Sequence, residues 1–140
     1  MTEGLTIAFY NSALDYVRLT SFPAVPAGMF MGLSSTDCGA DGSGIQEITE
    51  GTYTRVDVAS YFGTAAANGI LTNDADIPFN ASPGANWNGL QPIEHWFIAS
   101  AVTGGTIIAV GEIRPAIVVG SATNVSFPTG QVIMQIAQAA

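Results

Sequence analysis

Side chains able to carry out chemistry are scarce in this chain. It has one histidine, His95, one cysteine, Cys38, and three basic residues, Arg18, Arg55 and Arg114; there is no lysine. Nucleophilic and acid–base catalysis draw on those residue types, held in partnered pairs. Cys38 lies in the polar stretch 34–44 with no histidine near it in sequence. It reads as an incidental thiol, and alone it has no intrachain disulfide partner. His95 stands inside an apolar run between Glu94 and Trp96, and no recognised nucleophile pattern accompanies it. A packed structural histidine is the expectation, and no catalytic residue is assigned.

Oxygen ligands are more plentiful. Asp37, Asp41 and Glu47 occupy one Gly-rich segment, and Asn73, Asp74 and Asp76 another. Calcium takes about 6–8 such oxygens, yet the stretch DCGADGSG lacks the alternating acids and closing Glu of a calcium loop. A solvated acidic loop is the simpler reading, so no metal site is assigned. The glycines of DGSGIQE match neither dinucleotide nor phosphate-loop spacing, and without lysine a phosphate loop lacks its cation. No cofactor site is assigned. A carboxylate pair for glycoside hydrolysis needs a definite separation, and 11 acids carry no such signal. Trp87 and Trp96 are of the type that stacks on sugars. Trp96 alternates within a strand and reads as core. Trp87, among Asn and Gly, either anchors a partner or folds back as a lid on the core.

The formal net charge of −8 rests on so few cations that binding to nucleic acid or to an anionic membrane surface is excluded as a class. Charged residues make up 10% of the 140-residue chain, against roughly 25% in ordinary soluble domains. Much of the surface must therefore be uncharged, which suits a protein packed against neighbours. The N-terminus lacks the basic start and apolar core of a signal peptide, and no apolar run reaches the ~18 residues of a bilayer span.

These residues have to be positioned by elements that the hydrophobic pattern predicts. Ile7, Tyr10, Leu14 and Val17 share one face of a helix expected over about residues 6–20, capped by Thr6, packed on the rest by that face and ended by Pro23 and Pro26. From residue 28 to about 138 the period is two. Strands are expected at 29–33, 53–59, 70–72, 76–79, 93–99, 106–113, 115–119, 124–127 and 131–137, with a hairpin turn at Thr103-Gly104-Gly105. The fold class that follows is mainly β: residues 1–140 form one domain, an antiparallel β-sandwich or jelly-roll-like barrel with one short N-terminal helix.

Several blocks of the chain also carry a likeness in a fixed order. They are the helix NSALDYVRL, the strand MFMGLSS, the step Gly51-x-Tyr53-x-Arg55-Val56, the turn and strand LTNDADIPF, the block NWNGLQPIEHWFIASAVTGGTIIAVGEI and the closing VIMQI. Together they resemble a family of small tailed-phage virion structural proteins, often labelled tail fibre proteins. The chain departs from the pattern at Arg114-Pro115 and in having no lysine. The resemblance implies a non-enzymatic virion component, made in the host cytoplasm. The compact, nearly uncharged chain favours a capsid decoration (cement) protein that binds the major capsid protein and itself as a homotrimer. The alternative is a tail fibre or tail-tip subunit bound to other tail proteins. The N-terminal arm and the loops 34–51 and 80–92 are the segments expected to touch partners.

Overall fold

The computed structural model describes residues 4–18, 27–63, 68–80 and 84–135. The strand β1 (Gly4–Leu5) leads into the helix α1 (Ile7–Val17), followed by β2 (Phe30–Ser34) and β3 (Val56–Asp57). A single 3-10 turn, Ala59–Tyr61, precedes β4 (Ile70–Thr72) and β5 (Ile77–Asn80). A second, Asn88–Leu90, precedes β6 (Ile93–Ala99), β7 (Ile107–Ile117), β8 (Val125–Phe127) and β9 (Ile133–Gln135). All pairings are antiparallel. They build a five-stranded sheet in the order β1-β7-β6-β2-β3 and two ribbons, β4-β9 and β5-β8. The mainly β class is as expected; of the two architectures allowed, the layered one is present and no barrel closes.

The central hairpin shows why these residues form these elements. Trp96, Ile98, Ala109, Met31 and Leu33 point to one face of the sheet and meet Ile77, Phe79, Val125, Phe127 and Met134 of the ribbons in the main core. Phe97, Ala99 and Val110 point to the other face, where Cys38, Ile45 and Ile107 close a second, smaller cluster. The segment 35–47 thus covers a sheet that is buried on both sides, which explains the nearly continuous apolar runs of β6 and β7. Between β6 and β7, Gly104 and Gly105 both take positive φ, as the tight turn requires.

Two glycines are required by close approach. A Cβ at Gly32 would lie 2.3 Å from the Phe97 ring, and one at Gly111 would lie 2.4 Å from the Trp96 ring. Each aromatic lies flat across the glycine that faces it on the neighbouring strand. Gly111→Val should therefore lower stability by about 1–3 kcal/mol through overpacking. A chemical denaturation curve superposing on that of the unaltered protein would refute this.

Three expectations need correction. The strand expected at 53–59 is reduced to the two residues of β3, because Tyr53 and Arg55 turn inward to polar partners rather than pairing along a ladder. The strand at 115–119 is not separate: β7 continues to Ile117 across a cis Arg114–Pro115 bond. The third concerns α1, which buries none of its residues. Ile7, Tyr10, Leu14 and Val17 do share a face, but that face is exposed. The ribbons already fill one side of the sheet and segment 35–47 the other, so no apolar surface is left for the helix to cover. Thr6 stands at the N-cap position without capping: its hydroxyl donates to the Ile107 carbonyl at 2.5 Å, and its amide to Ile108 at 2.9 Å. These bonds tie the chain to the sheet edge and send the helix outward. The expected helix end at 19–20 and its stop at Pro23 and Pro26, like the last residues of the closing strand, lie outside the described residues.

Candidate functional site

The structure brings together residues that are far apart in sequence. Ser34 of β2, His95 of β6 and Glu112 of β7 stand opposite one another in adjacent strands, forming a serine–histidine–acid row across the sheet. Only strand order creates this row, and nothing in the linear spacing signals it. Its chemistry is closed, however. The Ser34 hydroxyl donates to the Thr36 carbonyl at 2.8 Å and accepts from the amides of Thr36 and Gln46 at 3.3 and 3.0 Å. One donor and two acceptors are all a hydroxyl has, and Ser34 is fully buried. Glu112 turns instead to Arg114 on its own strand. Nδ1 of His95 is buried with no hydrogen-bond partner. A nucleophile, base and orienting acid in mutual contact are what acyl transfer requires, and the row does not supply them.

The acidic positions are committed in the same way. Glu47 receives Nε and Nη2 of Arg55 on its two oxygens, each at 2.8 Å, and the Tyr53 hydroxyl at 2.8 Å. Arg55 spends Nη1 on the carbonyls of Ala101 and Gly104, both at 2.8 Å, and its guanidinium carbon sits 4.9 Å from the Phe97 ring centre. The Tyr53 oxygen also accepts the Leu33 amide at 3.0 Å. One arginine thus joins segment 35–47, the β6–β7 turn and the second core. Hydrogen bonding to Glu47 raises the Arg55 pKa further, and burial pushes the ionisation of Tyr53 upward. The motif Gly51-x-Tyr53-x-Arg55 is the sequence signal for this staple.

Asn73 is buried. Its amide donates to the carbonyls of Ala75 and Pro128, and its oxygen accepts the Val132 amide at 2.9 Å, so it holds two loops together. Asp76 accepts the amide and hydroxyl of Thr129. Asp37 and Asp41 each accept a backbone amide two residues on, from Gly39 and Ser43. Asp74 is exposed, beside Gly63. Among the described residues no three His, Cys, Asp or Glu side chains gather as metal ligands would. Trp96 is core, as expected. Trp87 takes the second of its two readings: it is fully buried, edge-on to Tyr53 at 5.3 Å and to Phe79 at 6.3 Å.

Cys38 is buried, with its sulfur 3.7 Å from the Trp96 carbonyl, and burial pushes its pKa from 9.0 up to about 11. The thiolate is the reactive form, so native protein should resist alkylation at pH 8 while unfolded protein reacts. The sign of the pH effect follows. Above pH 9 an unfolded chain gives up this proton while the native thiol keeps it until about 11. The thiol's contribution is intact below pH 9 and shrinks as pH rises through that window, by about 2–3 kcal/mol in all. Cys38→Ala should flatten this part of the stability profile; an unchanged slope in denaturation curves between pH 8.5 and 11 would contradict it.

What stays open to solvent is the outer edge. The helix leaves β1 there, and beside its base an open groove of about 410 Å3 runs between β7 and β9, lined by Tyr10, Trp96, Gly111, Glu112 and Ile133 among others. A smaller hollow of about 250 Å3 continues it toward Arg114 and Phe127. The lining offers apolar and hydrogen-bonding contact, with the Glu112 carboxylate already paired with Arg114. No helix among the described residues is long and apolar enough to cross a membrane. No match was found among curated proteins. A family model described as Podophage GP4 fiber I protein gp80 matches residues 4–135.

Proposed function

The chain belongs to the podophage GP4 fiber I protein gp80 family, and from that premise we propose that it is a non-enzymatic structural subunit of a fibre on the phage tail. The observation that carries this reading is the family match, which spans β1 to β9. It favours the fibre over the capsid-decoration role that size and low charge had suggested. The geometry supports the absence of catalysis, since the hydroxyl of Ser34 and the carboxylates of Glu47 and Glu112 are committed to structural bonds. The mechanism is contact. A body held rigid by its core and by the Glu47–Arg55 staple presents uncharged surface to neighbouring virion proteins. Many copies on one particle then add avidity without new contacts.

Immunogold labelling of intact particles with an antibody to this chain tests the assignment. Gold on fibres projecting from the tail is the expected pattern. Gold spread evenly over the head would overturn it in favour of decoration.

A further inference from the structure

Residues 77–93 and 115–135 contain no charged side chain, so the acids of this chain lie elsewhere. The two stretches are held together by the β5-β8 pairing, by the Gly84 amide on the Ser121 carbonyl at 3.1 Å and by the Ser121 amide on Oδ1 of Asn86 at 3.1 Å. Within this neutral region the turn Asn88–Leu90 is left-handed, with φ of 51°, 57° and 61° at its three residues. That conformation is unfavourable for any residue but glycine, because Cβ crowds the following carbonyl. Only the middle residue, Gly89, escapes the crowding. Two backbone bonds close the turn, from the Leu90 amide to the Trp87 carbonyl at 3.1 Å and from the Gln91 amide to the Asn88 carbonyl at 2.9 Å. The Asn88 side chain adds a long bond to the Pro92 carbonyl at 3.3 Å. Leu90 is 48% exposed, so little packing offsets the strain. A segment of this kind opens locally far below the free energy of global unfolding.

We infer that Asn88–Gly89 is a self-acting modification site, at which the backbone amide of Gly89 displaces ammonia from the Asn88 side chain. The Gly89 nitrogen bonds to Cγ of Asn88 and gives up its proton. The Cγ–Nδ2 bond breaks, and that nitrogen leaves as ammonia. The five-membered imide then takes up water at one of its two carbonyls and opens to aspartate or to its β-linked isomer. The turn supplies what the first step needs. Gly89 has no side chain to obstruct the attack, and a Cβ built on it would meet nothing within 4 Å. It is exposed, and among the described residues its amide has no hydrogen-bond partner, so no bond has to break to free the nucleophile. Asn68–Gly69 has the same two residues, also at positive φ, but Gly69 runs straight into β4, where Ile70 pairs with Gln135. Rotation there has to disturb a strand pairing. Reaction at Asn88 puts a carboxylate into a region that has none and takes the formal charge from −8 to −9. The β-linked form also lengthens the backbone of the turn by one methylene.

The full chain, incubated at mildly alkaline pH and body temperature, then digested and mapped by mass spectrometry with fragmentation that separates aspartate from its β-linked isomer, provides the test. The peptide carrying Asn88 should gain the mass difference between an amide and an acid, as both isomers, with ammonia released in step. In concentrated urea, where both turns are open, Asn68 and Asn88 should react at similar rates. In the native protein Asn68 should slow at least about tenfold and Asn88 by much less. Gly89→Ala should suppress the reaction at Asn88 in urea as well as in buffer, because its methyl group hinders the attack whether or not the variant folds. Equal protection of Asn88 and Asn68 in the native protein would overturn the inference. So would a Gly89→Ala variant that reacts as fast as the unaltered chain, or a product that lacks the β-linked isomer.

Discussion

Arg55→Ala should cost about 2–4 kcal/mol of unfolding free energy, because the guanidinium is buried while the Glu47 carboxylate it pairs with is partly exposed. The guanidinium makes four hydrogen bonds of 2.8 Å to Glu47, Ala101 and Gly104 and lies over the Phe97 ring. Its loss leaves the Glu47 carboxylate with the Tyr53 hydroxyl as its remaining side-chain donor, strips two carbonyls of the β6–β7 turn, and uncovers a ring that is fully buried. Arg55→Lys should recover less than half of the loss, because an ammonium cannot make the two-pronged contact with the carboxylate. Glu47→Gln should cost less, about 1–3 kcal/mol, since one acceptor oxygen and the shape survive. Thermal unfolding monitored by circular dichroism would show a drop of ~10 °C or more for Arg55→Ala. A shift of a degree or two would mean that the pair is solvated and the staple unimportant.

Trp87→Ala should destabilise by a similar amount, about 3–5 kcal/mol, by opening a cavity in the main core. The ring is fully buried where Tyr53 and Phe79 meet it edge-on, and Phe79 in turn meets Phe127 at 5.9 Å. The more telling variant is Trp87→Phe. Nε1 of Trp87 is buried with no hydrogen-bond partner, and an unsatisfied buried donor carries a desolvation penalty of about 1–3 kcal/mol. Removing it with the indole should offset part of the lost packing, so Phe should retain most of the stability that Ala loses. Equal losses for Phe and Ala in urea denaturation would show that the indole N–H is satisfied in solution.

Both predictions rest on residues whose importance the sequence only half displayed. Trp87 sits among Asn and Gly in a stretch that reads as a loop, where an aromatic suits a partner's surface as well as its own core. The loop carries it inward because the Trp87 amide bonds the Val119 carbonyl at 2.9 Å, a contact with a segment 32 positions on (119 less 87). Glu47 was a plausible ligand in an acidic loop until Arg55, eight residues away, was seen to hold it. The Ser34–His95–Glu112 row exists only once β6 lies between β2 and β7.

Local patterning did determine the β class of the chain. The alternation in Ile93–Ala99, the returning run after Thr103-Gly104-Gly105 and the run before Ser34 became the three central strands, because side chains alternate across a strand whatever its partners are. It also determined that Ile7, Tyr10, Leu14 and Val17 share a helix face. Tertiary structure alone decided which way that face turns. Periodicity states which residues point together, and the supply of uncovered apolar surface elsewhere decides what they point at. Here the ribbons and segment 35–47 had already filled both sides of the sheet, so the apolar face of the helix that was expected to close the core was left facing outward.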